Sequence, residues 1–171
     1  MTLHPNARMA LVALGIVALD QATKRAVLQL LGYAEEQIVI DGFFKFVHWG
    51  NTGAAWSMFH GNNNTLAVIS AFALVVLFLA RRHFAGTSVT GQTALGLMFG
   101  GIVGNLIDRL TVNHVIDFLY FHVRTRGGNE AGFPAFNVAD SAICVGVGLL
   151  FLLSWQRAPE PPPADVPPNP S

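Results

Sequence analysis

Phe133-Pro134-Ala135-Phe136-Asn137-Val138-Ala139-Asp140 runs without a break into the apolar segment 141–155. It sets an aspartate one turn inside what otherwise reads as a membrane span. A carboxylate there costs about 2.5–3.5 kcal/mol on insertion scales, so an intramembrane acid marks a functional site by default. Ordinary capping chemistry accounts for the same residues. Asn137 would be the helix N-cap and Asp140, three residues on, an acidic first-turn partner. On this stretch alone the two readings weigh evenly, and the rest of the chain decides between them.

The chain has 171 residues, 52% of them hydrophobic and 12% charged, with a mean hydropathy of +0.47. That charge fraction is about half that of an average soluble domain, and the apolar residues come in long blocks. An integral membrane protein of one domain is expected. Ten basic and ten acidic residues balance, so no basic face argues for nucleic-acid binding. Cys144 is the single cysteine and lies inside an apolar run, which excludes a disulfide framework or thiolate metal site and reads as packing.

Outward from the opening stretch, residues 138–155 form one expected span, and residues 65–80 and 93–110 two more. Gly96, Gly100 and Gly104 recur every fourth position in the latter, the spacing that lets membrane helices approach closely. They read as packing, not as a phosphate loop. Residues 9–19 are apolar but too few to cross a bilayer, which takes about twenty. A secretory signal peptide would start this way, after Arg8, but no small-residue cleavage site follows. A first helix over residues 8–31 with a polar far end is expected instead. Residues 32–60 differ in kind: Asp41-Gly42 between two β-prone runs, 37–40 and 43–49, predicts a hairpin, followed by a loop from Asn51 to Ser57. The fold expected is therefore a mainly α membrane protein, four transmembrane helices with a small extramembrane β cradle. Residues 1–156 form the membrane domain, with cradle and site loop at 33–60. A Pro-rich, unpacked tail occupies residues 157–171.

Four spans put both termini on one side. Basic residues do not orient them by simple count: Arg8, Arg81, Arg82 and Arg157 face Lys24, Arg25, Lys45, Arg109, Arg124 and Arg126 across the membrane. Termini in the cytoplasm are nonetheless favoured, because Arg81-Arg82 occupies the one short loop on that side.

This topology gathers Asp20, Lys24, Asn51, Asn105, Asp108, Arg109, Asp117, Asn137 and Asp140 at one membrane face. Four of the six aspartates thus meet from distant segments. Asp20 and Lys24 are i and i+4 on one helix, a favourable order for an ion pair; Asn105 and Arg109 share that spacing, with Asp108 beside them. Helix-end ion pairs anchoring the bundle explain Lys24 and Arg109 better than direct chemistry does. Asp117 is harder to explain structurally. It lies in the run His114-Val115-Ile116-Asp117-Phe118-Leu119-Tyr120-Phe121 with no basic residue within four positions. Burial there would raise its pKa, and beside Asp140 the two acids would share a proton, giving one acid and one base at the same pH. Such a pair activates water against an amide without a metal. No His-Glu-x-x-His zinc site, nucleophile elbow or Walker-type loop is present. A Ser–Lys dyad from Ser57 or Ser141 with Lys24 is a weak alternative, since lone loop serines usually bond backbone.

The set Asp20-Gln21-x-x-Lys24, Asn51-Thr52-Gly53-Ala54-Ala55-Trp56-Ser57, Gly104-Asn105-Leu106-Ile107-Asp108-Arg109, Val115-Ile116-Asp117-Phe118 and Phe133 to Asp140 resembles the bacterial lipoprotein signal peptidase family, signal peptidase II. The resemblance covers residues 9–155 in order; the Pro-rich tail lies outside it, and Trp56 stands where phenylalanine is expected. It implies an inner-membrane aspartic endopeptidase that removes signal peptides from diacylglyceryl-modified prolipoproteins, cutting before the lipidated cysteine. Asp117 and Asp140 correspond to its catalytic dyad. Asp20, Lys24, Asn51, Gly53, Asn105, Asp108, Arg109 and Asn137 fall on site-lining or supporting positions. It further implies both termini in the cytoplasm and a site near the periplasmic face. Contact with membrane lipids, no cofactor or metal, and a monomer are expected besides. Two rivals remain: a proton-coupled carrier, which would string its acids through the bilayer midplane, and a purely structural scaffold, which leaves Asp117 unexplained.

Overall fold

Helices form where the apolar blocks are, and each runs longer than its block. The computed structural model describes residues 4–53, 61–85, 88–127 and 129–156. The expectations for Trp56, Ser57 and the tail 157–171 fall outside those residues.

Helix α1 (Pro5–Leu30) begins at a proline, whose fixed φ suits a first turn, and continues through Asp20-Gln21-x-x-Lys24. The polar residues do not break it because they face the bundle: Asp20 and Lys24 are 0% and 1% exposed. Helix α2 spans Asn63–Ala85, α3 Val89–Thr111 behind the N-cap Ser88, and α4 Val138–Gln156. By length and composition α2, over Asn63–Phe84, and α4 are apolar enough to cross a membrane. Helices α1 and α3 have 26 and 23 residues, about 39 and 35 Å at 1.5 Å per residue. Asp20 and Lys24 of α1 and Asp108 of α3 are turned inward, while Arg25 is exposed.

Helix α3 is the centre of the bundle, and α1, α2 and α4 all pack on it. Its glycine stripe is the seam with α1. A Cβ on Gly100 would lie 2.7 Å from both the Ala13 carbonyl oxygen and Ile16 Cβ, so nothing larger fits without parting the helices. The stripe packs within the bundle.

The sheet is larger than the two strands expected. Strands β1 (Glu36–Ile40), β2 (Phe44–Asn51), β3 (Val115–Arg124) and β4 (Glu130–Gly132) lie in that order, all antiparallel. The Asp41-Gly42 turn joins β1 to β2, with Gly42 at φ 71°, a conformation glycine adopts freely. Past the end of β3 the chain turns at residues 126–127 and returns as β4. Strand β3 escaped the sequence reading because its first four residues are all buried, so no two-residue alternation marks it. The opening stretch then runs along β3: Leu119 N–H donates to Phe136 O at 2.9 Å and Phe136 N–H to Leu119 O at 3.1 Å. That pairing brings the start of α4 beside Asp117.

Candidate active site

Asn137 and Asp140 begin α4 as a reciprocal capping pair. Asp140 N–H donates to Asn137 Oδ1 at 2.9 Å, and Asn137 N–H donates to Asp140 Oδ2 at 3.2 Å. This is the capping-box geometry with aspartate at the third helical position. The same two side chains also reach out of the helix. Asn137 Nδ2 donates to Asp117 Oδ1 at 2.9 Å and to Ile116 O at 3.3 Å. Asp140 Oδ1 accepts Asn105 Nδ2 at 2.8 Å. Capping and site are one arrangement, and Asn137 touches both carboxyl groups.

Asp117 sits on β3 opposite Trp49 of β2. Two registers along, at the end of β2, Asn51 Nδ2 donates to Asp117 Oδ2 at 2.9 Å. The direction of that amide is set by Gly53, whose N–H donates to Asn51 Oδ1 at 2.9 Å. Asp117 is 3% exposed, while Asp140 is half-buried. Burial pushes the Asp117 carboxyl up to about 7, and the Asp140 charge pushes the same way against the donors Asn51 and Asn137. Desolvation and a like charge both disfavour the ionised form.

Behind the pair lies a buried ionic layer. Lys24 Nζ stands 2.8 Å from Asp20 Oδ2 and 2.6 Å from Asp108 Oδ2, and donates to Asn105 Oδ1 at 3.0 Å. Asp20 Oδ1 accepts Ala139 N–H at 3.0 Å, so α1 supplies a second cap to α4. Asp108 Oδ2 accepts Ile116 N–H at 3.3 Å, which ties the end of α3 to β3. Gln21 Nε2, at 2.9 Å from Asp108 Oδ1 and 3.3 Å from Asp20 Oδ2, bridges the two acids. The motif Asp20-Gln21-x-x-Lys24 gave Gln21 no role of its own, although it stands three residues from Lys24, on a neighbouring position of the helix surface.

The structure thus joins Asp20, Lys24, Asn51, Gly53, Asn105, Asp108, Asp117, Asn137 and Asp140 in one hydrogen-bonded network. Arg109 stands apart from it. Sequence adjacency suggested Asp108 as its partner, but Asp108 faces α1 and pairs with Lys24. Arg109 is half-buried within electrostatic reach of Asp140, Asp117 and Asp108, and its buried Nε meets no acceptor among the described residues. Its carbonyl accepts Asn63 Nδ2 at 3.0 Å, which holds the start of α2 to the same end. Among the described residues no three His, Cys, Asp or Glu group as metal ligands. The acids of the site are bonded to amides and Lys24 instead. Chemically, two carboxyl groups held through a common asparagine, one of them reluctant to ionise, can act as acid and base together.

Known proteins resemble this chain closely. A family described as signal peptidase (SPase) II matches residues 12–156. A lipoprotein signal peptidase of Syntrophotalea carbinolica is 39% identical over 151 residues, 86% of this chain and 91% of that protein. Its counterpart in Bacillus subtilis is 38% identical over 83% of this chain and 89% of that one. That of Paraburkholderia phytofirmans is 43% identical over 85% and 83%. Among solved structures, a bacterial membrane enzyme determined by the in meso method at 2.3 Å superposes with a TM-score of 0.76 at 29% identity, covering 90% of this chain and 92% of the other.

Proposed function

The chain belongs to the signal peptidase II family, and on that premise we propose that it is an aspartic endopeptidase with Asp117 and Asp140 as its catalytic pair. Membership makes it a membrane protease of lipoprotein signal-peptide processing. Its substrate is a diacylglyceryl-modified prolipoprotein, cut before the lipidated cysteine. Residues 1–156 act as one monomeric membrane domain. All four helices cross the inner membrane, both termini are cytoplasmic, and the site opens near the periplasmic face. The inward-facing Asp20, Lys24 and Asp108 of α1 and α3 fit that topology, since polar groups in a span are tolerated where they pair inside a bundle.

One observation carries the reading: Asn137 and Asn105 hold the two carboxyl groups in one network while burial keeps Asp117 protonated to about pH 7. Asp140 takes a proton from a water molecule as that water attacks the scissile carbonyl carbon. Asp117 gives its proton to the carbonyl oxygen, forming a gem-diol. As that intermediate collapses the amine leaves with the proton held by Asp140, and Asp117 takes back a proton from a gem-diol hydroxyl, which leaves the new carboxyl group and restores the pair. Asn51 and Asn137 aim Asp117, Asn105 aims Asp140, and the Asp20–Lys24–Asp108 layer holds the start of α4 in place. Arg109, with its unpaired Nε, is suited to a substrate carbonyl. The rings of Phe43, Phe121, Phe133 and Phe136, in contact along β2, β3 and the opening stretch, offer an apolar surface to an acylated peptide.

Replacing Asp117 or Asp140 with Asn keeps size and hydrogen-bonding shape. Each variant is expected to insert and fold yet lose cleavage of a lipid-modified precursor by at least about a thousandfold. Near-normal turnover by either variant refutes the pair.

A further inference from the structure

Helices α2 and α4 both lean on α3, and at the end of the bundle away from the acids a groove remains between them. It encloses about 370 Å³ and is lined by Leu77, His83 and Phe84 of α2, Met98 of α3, and Phe151 and Ser154 of α4, among others. Its walls are hydrocarbon except at the mouth, where His83 and Ser154 stand. Leu77, Arg81 and Phe84 fall at i, i+4 and i+7, one face of α2, so Arg81 stands between two residues of the groove wall. Arg82 and His83 follow it and are exposed.

Among the described residues no acid pairs with Arg81 or Arg82. Arg81 lies 3.8 Å over the Phe78 ring and donates to the Phe78 carbonyl. Neither Arg82 nor His83 is ion-paired to an acid among the described residues. The acids of the described residues lie instead around the Asp117–Asp140 end and in the sheet. Trp155 is 79% exposed and packs edge-on against Phe151 at 5.8 Å, the setting of an aromatic ring at a membrane–water boundary. Two arginines next to an apolar groove, at the end of two helices apolar enough to cross a membrane, complement one kind of molecule.

We infer that this end of the bundle binds an anionic phospholipid. One acyl chain occupies the groove between α2 and α4, and the phosphate is held by Arg81 and Arg82, with His83 and Ser154 as hydrogen-bonding neighbours. The inference rests on α2 and α4 crossing the bilayer, not on the Asp117–Asp140 pair. Basic residues at a helix end also serve to orient a span. That role alone requires no selectivity among lipids and no groove.

Native mass spectrometry of the full chain in detergent separates the two. Phosphatidylglycerol and phosphatidylcholine with identical acyl chains are offered at equal concentration. Retention of the anionic lipid roughly five- to tenfold above the zwitterionic one is expected, the scale of one or two basic contacts near a surface. Arg81→Gln/Arg82→Gln should abolish the preference; both side chains lie at the surface end of α2, and a thermal melt verifies the fold. Val147 of α4 also lines the groove, and Val147→Phe, which puts a ring into it, should reduce retention of both lipids. Equal retention by the unmodified chain, or a preference that survives the double substitution, overturns the inference. The readout is lipid retention, so it stands or falls independently of peptide cleavage.

Discussion

Asn137 uses every polar atom it has: its backbone N–H and Oδ1 close the cap with Asp140, and its Nδ2 fixes Asp117. Between its carboxyl neighbours the proton balance has a measurable consequence. A free aspartate gives up its proton near pH 4, whereas Asp117 in the fold holds it to about 7. In that window the folded chain binds more protons than the unfolded one, so stability falls as pH rises from about 4 to about 7, by on the order of 4 kcal/mol, and then levels. Asp117→Asn should flatten the descent, which melting temperatures in detergent between pH 5 and 8 would reveal. Cleavage should decline above about pH 7, where the shared proton is lost. Lys24 is different. Lys24→Met would leave Asp20 and Asp108 buried without their cation, a loss of about 3–5 kcal/mol, seen as a fall in melting temperature. The absence of a basic residue near Asp117 was legible in the sequence; its partners Asn51 and Asn137 were not, because they arrive from a different strand and helix.

At the scale of elements, the seam between α1 and α3 is the tightest constraint on the site. Gly100 lies against the Ala13 carbonyl and Ile16, and a Cβ on Gly104 would lie 2.6 Å from Asp20 Oδ2. Close approach is what lets Lys24 of α1 reach both Asn105 and Asp108 of α3. Gly100→Ala should therefore cost about 1–3 kcal/mol through overpacking and lower cleavage with it. Circular dichroism should report unchanged helix content with an earlier melt. The four-residue repeat announced this seam in the sequence. Strand β3 was not announced, because a strand buried on both faces lacks alternation, and only its pairing with β2 and with Phe136 identifies it.

For the whole molecule, the proposed topology predicts which ends of the bundle meet which side of the membrane. In a Cys144→Ser background, a cysteine at Arg126 should react with an impermeant maleimide added outside the inner membrane. A cysteine at Arg82 should react only after that membrane is permeabilised. The reverse pattern would invert the orientation, and labelling of both from outside would show that α3, the helix between them, does not span. Composition and block length by themselves determined a membrane protein with a surface sheet, because the cost of apolar surface in water and of charge in lipid is local and can be summed along the chain. The order of the motifs determined its family. What only the tertiary structure decided is which polar groups meet: that Lys24 takes Asp108 away from Arg109, that Gln21 bridges two acids, and that Asp140 caps its own helix while facing Asp117. Those pairings depend on the angular position of side chains on three helices and a strand. Sequence spacing specifies that angle within an element and not between elements.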